Sequence, residues 1–356
     1  MIQTIAVLGA GTMGHGIAHT FSRHGYQVNL YEPFDAVRES APQKIREELQ
    51  FMVDEGYITE ADRDNGIRNI TMYASLEDTA RDADYVIEAC PEKMELKQKL
   101  FSQLDAVCKP TAVFATNTSS LKLSEMIAHL PPERQARCMV SHWYNPAYLI
   151  PIAELSKFGN MPEDVFQEVY DLYVACEKQP VRVLKDITGM VANRILHAQA
   201  RECFYLAEIG AALPEDIDKA LKYGPCFRNA TTGMLEVADM GGLDVWLAAE
   251  DNMFPALCNS DTACGAMRKL VADGNLGIKT GKGFFDYPEE TPGPKGPQLC
   301  KAADCTGCTA CASVCPVSAI TMVPDHEGFL RPAVSEACIL CRKCESACPA
   351  LTQPVK

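Results

Sequence analysis

The 356-residue sequence has no apolar run long enough to span a bilayer and no surplus of positive charge. Its net charge of −14 argues against nucleic acid or an anionic membrane surface as partner, while leaving room for a local basic pocket. No charged n-region or cleavage site precedes the first apolar stretch, "TIAVLG", so the protein is expected to be cytoplasmic, without membrane insertion. Internal repeats are absent except for one pair of cysteine runs, 33 residues apart. Of 17 cysteines, the nine outside those runs are scattered without pairing pattern, which suits a reducing compartment rather than a disulfide framework. The rest is ordinary globular composition, 47% hydrophobic and 22% charged, with length for two or three domains.

What is present falls into four parts. Residues 1–185 alternate strand-like and helix-like segments, with strands expected at Thr4–Gly9, Gln27–Tyr31, Tyr85–Ala89, Ala112–Thr116, Cys138–His142 and Ile150–Leu155. A helix is expected over Glu95–Val107, with Leu96, Leu100, Phe101 and Leu104 at helical spacing. Such alternation predicts an α/β fold, a doubly wound parallel sheet covered on both faces. Residues 186–287 read as an all-helical domain beginning with a long helix from Met190 through Ala212. Residues 288–299, "PEETPGPKGPQL", read as a semi-rigid linker, and residues 300–356 hold both cysteine runs with too few apolar residues for a core without a metal staple.

Gly9-Ala10-Gly11-Thr12-Met13-Gly14 fits G-x-G-x-x-G directly after a strand and opening a helix. Gly9 allows the tight turn, Gly11 lets backbone approach a pyrophosphate, and Gly14 lets helix pack on strand. The phosphates would sit on the helix N-terminus, where free N–H groups favour anions. Glu32 ends the second strand at the expected distance, where a carboxylate accepts from ribose hydroxyls and repels a 2′-phosphate. The expectation is a Rossmann-like domain binding NAD rather than NADP.

Further motifs carry a resemblance. "VIEACPEKMELKQKLF" (86–101), "ATNTSSL" (115–121), "SHWYNPAYLIPIAEL" (141–155), "GMVANR" (189–194) and "GIKTGKGFFDY" (277–287) follow the Gly loop in order. Together they resemble the 3-hydroxyacyl-CoA dehydrogenase family over residues 1–287. The resemblance implies a Rossmann-like domain followed by a helical domain that completes the active site and forms a homodimer. It puts the catalytic His–Glu pair on His142 and Glu154. Ser119 and Asn193 match residues that hydrogen-bond the reacting oxygen and position the imidazole, though Ser119 also suits a helix N-cap and Asn193 a packing amide. By the same resemblance Thr12, Met13, Glu92, Lys97, Asn145 and Lys279 join the cofactor contacts. The residue types fit the chemistry, because histidine titrates near neutral pH and a carboxylate on its other nitrogen fixes the tautomer.

The departures bear on substrate. Members acting on CoA thioesters usually carry lysines in the helical hairpin after the second strand, where this chain reads "VDEGYITEAD". A lysine common before the catalytic Glu is replaced by Pro151, and "GPCFRNATTGMLE" stands where a "PMGP"-like turn is usual. These features are more similar to the branch acting on free hydroxy acids, which includes L-gulonate 3-dehydrogenase (lambda-crystallin) and L-carnitine dehydrogenase. Arg228 would then pair a substrate carboxylate, or else lie over the helix bundle as a surface arginine. A small 3-hydroxy acid is the expected substrate, with an acyl-CoA as alternative.

"CTGCTACASVCP" (305–316) and "CILCRKCESACP" (338–349) each have the form C-x2-C-x2-C-x3-C-P, the spacing of bacterial ferredoxins. The fourth Cys of each run reaches across to the other cluster. One [4Fe-4S] cluster is therefore expected on Cys305, Cys308, Cys311 and Cys348, and a second on Cys338, Cys341, Cys344 and Cys315. Zinc is the alternative, but its sites usually show two C-x2-C knuckles without the trailing C-P. "AITMVPDHEGFLRPAV" between the runs reads as a β-hairpin, giving a small ferredoxin-like α+β domain. Cys300 has no assigned role. Hydride donation is a two-electron step and a cubane accepts one electron, and the chain has no second dinucleotide fingerprint for a flavin. NADH alone is therefore not expected to reduce the clusters, and a flavoprotein or other redox partner would have to intervene. The clusters equally suit a structural staple or a redox sensor, and the rival to an enzyme is an NAD(H)-binding electron-transfer subunit.

Overall fold

The computed structural model describes residues 2–157, 159, 161–185, 187–287, 299–300, 305–324, 329–335, 337–338, 341 and 343–352. Of the expected linker, only Leu299 falls among them; residue 186 and residues 325–328, within the expected hairpin segment, also lie outside. The chain divides into two compact units, residues 1–199 and 200–356. Among the described residues no helix is long and apolar enough to cross a membrane.

The first unit is built on a sheet of strands β1 (Thr4–Leu8), β2 (Gln27–Tyr31), β3 (Ile70–Tyr73), β4 (Tyr85–Glu88), β5 (Val113–Thr116), β6 (Cys138–Trp143), β7 (Ile152–Lys157) and β8 (Gln179–Val183). Their order is β3-β2-β1-β4-β5-β6-β7-β8, and β1 to β6 are parallel, the Rossmann arrangement. Alternation of side chains explains how both faces are covered. Ile5 and Val7 of β1 join one core with Phe21 and Trp143, while Ala6 and Leu8 join the other with Phe101 and Phe114.

Three features differ from the sequence expectation. The strand after His142, β7, runs antiparallel to β6. Strands β3 and β8 were not expected; both are edge strands, β3 only four residues long and β8 interrupted by Pro180, which an edge tolerates. In the helix Met94–Val107, Leu96 is 40% exposed and Lys97 takes the buried stripe instead, at 1%.

Helix α1 (Gly14–Arg23) follows the Gly loop, and α2 (Asp35–Asp54) and α3 (Glu60–Arg68) form the hairpin after β2. Helix α2 buries Ala41, Ile45, Leu49 and Met52 along one face, and Thr59 opens α3 by a reciprocal capping box with Asp62. Asp54, Glu55, Glu60 and Asp64 of the hairpin are exposed.

The second unit continues the helix Ala192–Glu208 with helices Pro214–Tyr223, Pro225–Asn229, Met234–Gly241, Leu243–Met253 and Gly265–Ala272. These helices bury little within the chain; Ile217 and Val237 are their buried apolar residues, whereas Leu235 is 84% and Met240 81% exposed. Its last part is a hairpin of β9 (Ile320–Pro324) antiparallel to β10 (Leu330–Val334), flanked by short helices Ala310–Ser313 and Lys343–Ala347. The core there is small: Cys311, Ile320 and Cys344.

Candidate active site

The Gly loop leaves β1 through Gly9, whose φ of 101° is costly for any residue with a side chain. A Cβ on Gly14 would stand 1.6 Å from the Gly9 carbonyl oxygen, so helix and turn touch backbone to backbone. A Cβ on Gly11 would meet nothing within 4 Å, which leaves that side open to a ligand. The carbonyl of Met13 accepts from Ile17 N at 2.9 Å, and Thr12 is exposed at the turn. Glu32, buried, accepts from Ala10 N at 3.0 Å and from Phe34 N at 3.1 Å, which places its carboxylate against the loop. These residues fit a dinucleotide.

A buried polar network underlies the next strands. Lys97 donates to both oxygens of Glu88, at 2.9 and 2.8 Å, and pairs with Glu92 at 3.0 Å. Thr116 also donates to Glu88, at 2.7 Å. Glu92 Oε1 accepts from the hydroxyls of Thr118 and Ser120 and from Ser119 N and Ser120 N at 3.2 Å. Burial raises the Glu92 carboxyl, but these hydrogen bonds and Lys97 outweigh it and hold the group at about 2. The loop that carries Ser119 is thus fastened to an ionised carboxylate.

His142 and Glu154 are direct partners across the β6–β7 pair. His142 Nδ1 lies 3.1 Å from Glu154 Oε2, and Glu154 Oε1 accepts from Val191 N and Ala192 N at 2.8 and 2.9 Å. Burial raises the Glu154 carboxyl, yet the His142 contact and the two N–H donors lower it below the ordinary carboxylate range. Those donors lie where the helix Ala192–Glu208 begins, the end that favours an anion. Tyr144 stacks edge-on against His142 at 5.3 Å between centroids and donates its hydroxyl to Asn193 Oδ1 at 2.6 Å. Asn117 Oδ1 accepts from Trp143 N at 2.8 Å, tying the end of β5 to the strand that carries His142.

His142, Glu154 and Asn193 are thereby joined, and Glu92, Lys97 and the Ser119 loop form an adjoining group. Asn145 is exposed beyond β6. Arg228 and Lys279 belong to the second unit and are exposed there. Sequence reasoning did not single out Glu88, Thr116, Thr118, Ser120, Asn117 or Tyr144. The polar density of "ATNTSSL" was a signal for four of them, and a lysine at helical spacing from Leu100, Phe101 and Leu104 was a signal for a carboxylate partner like Glu88.

In the cysteine-rich part, Cys305, Cys308, Cys311 and Cys348 line one cavity, together with Cys300. The N–H groups of Val317, Ala319, Ile320 and Ser318 hold the Cys315 thiol below its ordinary value, Ala319 N standing 3.2 Å from Sγ. Burial raises the Cys348 thiol, but the Cys300 side chain and the N–H groups of Ala350, Leu351 and Cys300 bring it below the ordinary value. Four cysteines of the two runs facing one cavity fit an iron–sulfur cradle.

Fold and site define an NAD-binding oxidoreductase of the Rossmann class with an iron–sulfur appendage. The chain belongs to the 3-hydroxyacyl-CoA dehydrogenase family: residues 4–187 match the model of its NAD binding domain and residues 189–287 that of its C-terminal domain. Residues 304–351 match a 4Fe-4S dicluster domain. The chain is 35% identical over 291 residues to a Bacillus subtilis protein described as "Probable 3-hydroxybutyryl-CoA dehydrogenase", covering 82% of this chain and 99% of that one. It is 31% identical to 5-formyl-3-hydroxy-2-methylpyridine 4-carboxylate 5-dehydrogenase of Mesorhizobium japonicum, over 82% of this chain and 93% of the relative. A crystal structure of an enzyme of that latter name superposes with a TM-score of 0.73 at 29% identity, covering 82% of this chain and 92% of the other.

Proposed function

We propose that the chain reversibly oxidises the hydroxyl of a small 3-hydroxy acid with NAD, using His142 as base and Glu154 as its orienting partner. The observation that carries this reading is the in-register His142–Glu154 hydrogen bond, with the second Glu154 oxygen bound to helix N–H groups. Bound NAD supplies the hydride acceptor. Nε2 of His142 takes the hydroxyl proton as the C–H electron pair departs and the carbonyl forms. Glu154 keeps Nδ1 a donor and stabilises the imidazolium; in the reverse direction the same nitrogen returns the proton. Ser119 hydrogen-bonds the reacting oxygen and Asn193 positions the imidazole.

For the cofactor, Gly9, Gly11, Thr12, Met13 and Gly14 would cradle the pyrophosphate and Glu32 the adenosine ribose. Glu92, Asn145 and Lys279 are further contacts, and Lys97, at 1% exposure, acts through Glu92.

The exposed carboxylates of the α2–α3 hairpin support a free acid, since they would repel the phosphates of CoA. The Mesorhizobium relative is named for a free carboxylate substrate. The Bacillus relative is named for a CoA thioester, and that favours the second reading, a 3-hydroxyacyl-CoA. NADH formation from free 3-hydroxy acids and from their CoA thioesters decides between them: turnover of thioesters alone overturns the free-acid reading. Arg228→Ala is expected to abolish acid turnover. Absence of turnover on either class would leave an NAD(H)-binding electron-transfer subunit.

The bare apolar helices of residues 200–287 support a homodimer, which sedimentation of the full chain tests. A flavoprotein partner would link NADH to the clusters; rapid cluster reduction by NADH alone, followed by EPR, would refute that need.

A further inference from the structure

Cys300 stands outside both cysteine runs and outside the 304–351 span, yet it lines the cavity of Cys305, Cys308, Cys311 and Cys348. Its side chain hydrogen-bonds with those of Cys348 and Cys305. Its backbone N–H also reaches the Cys348 sulfur. Leu299, its neighbour, packs on the small core of Cys311, Ile320 and Cys344, so the position is anchored by packing. Five sulfurs therefore face a site where a cube offers four corners.

We propose that Cys300 is a reserve thiolate of the first cluster, able to take the iron corner otherwise held by Cys348. This rests on the cluster reading of residues 305–348. Cys305, Cys308 and Cys311 come from one short segment, and each is held close by its neighbours. The fourth corner comes from Cys348, across the hairpin, and closes the longest loop of the set. Local opening of the short helices Lys343–Ala347 and Pro349–Thr352 that flank Cys348 would release that bond before the other three. Cys300 approaches the same corner from the opposite end of the domain, so a cluster that loses Cys348 keeps four sulfur ligands. In the exchange the Cys300 Sγ–H gives up its proton as the Sγ–Fe bond forms, and the Cys348 Sγ–Fe bond breaks as that sulfur takes a proton. No electron moves, and the cluster's oxidation state is unchanged.

The test uses the full chain prepared anaerobically as wild type, Cys300→Ala, Cys348→Ala and the double variant. Iron and sulfide per chain and the EPR of the dithionite-reduced and oxidised protein are measured on each. Cys300→Ala and Cys348→Ala are each expected to keep the iron content and cubane signals of two clusters. The double variant is expected to lose one cluster or to show a three-iron signal. In iron-loaded Cys348→Ala, iodoacetamide should leave Cys300 unlabelled until the iron is stripped. A Cys348→Ala protein as deficient in iron as the double variant, or labelled at Cys300 while iron-loaded, overturns the proposal. Wild type without a cubane signal would overturn the cluster reading itself, and the reserve ligand with it.

Discussion

His142 and Glu154 sit directly opposite one another on antiparallel neighbours, the one reversal in a run of otherwise parallel pairings through β1 to β8. The reversal matters because an antiparallel pair brings two residues only twelve positions apart face to face. The short return from β6 to β7 sets a carboxylate beside an imidazole with no long-range assembly. Removing either side chain should therefore cost chemistry and spare the fold. His142→Ala is expected to lower kcat by about 10²–10⁴-fold, and Glu154→Gln by a smaller factor, with NAD affinity retained. Steady-state kinetics beside NAD titration by fluorescence checks both; loss of NAD binding in step with kcat would mean a folding defect instead.

Tyr144 donates its hydroxyl to the Oδ1 of Asn193, one step removed from the proposed chemistry. Tyr144→Phe keeps the ring against His142 and deletes one hydrogen bond, worth about 0.5–1.5 kcal/mol net. The expected result is a several-fold fall in kcat with KM nearly unchanged. A rise in KM with constant kcat would assign Tyr144 to substrate binding.

Glu92 gives the NAD-binding unit an acid-sensitive fastening. Its carboxyl is held at about 2, well under its ordinary 4.5, so the ionised form is favoured by folding. Because the folded value is the lower one, the stabilisation is complete above the unfolded value and is lost as pH falls from about 4.5 toward 2. Partial exposure of Glu92 tempers the size through solvent screening. Glu92→Gln should melt lower near neutrality and lose less stability across that acid window. Thermal melts at a series of pH values read this directly, and parallel curves for the two proteins would contradict it.

Stripping the clusters should undo one part of the chain and leave another. Among the described residues the hydrophobic cluster around β9 and β10 has three buried members, two of them cysteines, Cys311 and Cys344. Chelation after oxidative bleaching is expected to make residues 300–356 protease-sensitive while the melting of the NAD-binding unit is unchanged. Persistent protease resistance without iron would show that the apolar core suffices.

The parts legible in the sequence were those written in local spacing: the Gly loop, β1, β2 and β4 to β7, and the two cysteine runs. Strand β8 hid behind Pro180, and β3, as short as β4 and β5, is a partly exposed edge strand where those two are fully buried. Glu92 and Lys97 were named from the sequence, but their joining to Glu88 and Thr116 was not legible, because Glu88 and Thr116 sit 28 positions apart in segments that read as apolar strands. Only the sheet order brings them together, and order is a property of the whole chain.

The double engagement of Glu32 has a consequence for redesign. One oxygen holds Ala10 N in the Gly loop and the other holds Phe34 N at the start of α2. Replacing it to admit NADP would remove the charge proposed to discriminate against a 2′-phosphate, and would also remove the acceptor that holds Ala10 N in the Gly loop. In the proposed binding mode, cofactor preference and loop geometry are coupled through a single carboxylate. A switch to NADP in this scaffold therefore calls for a compensating anchor at Ala10, not one exchange alone.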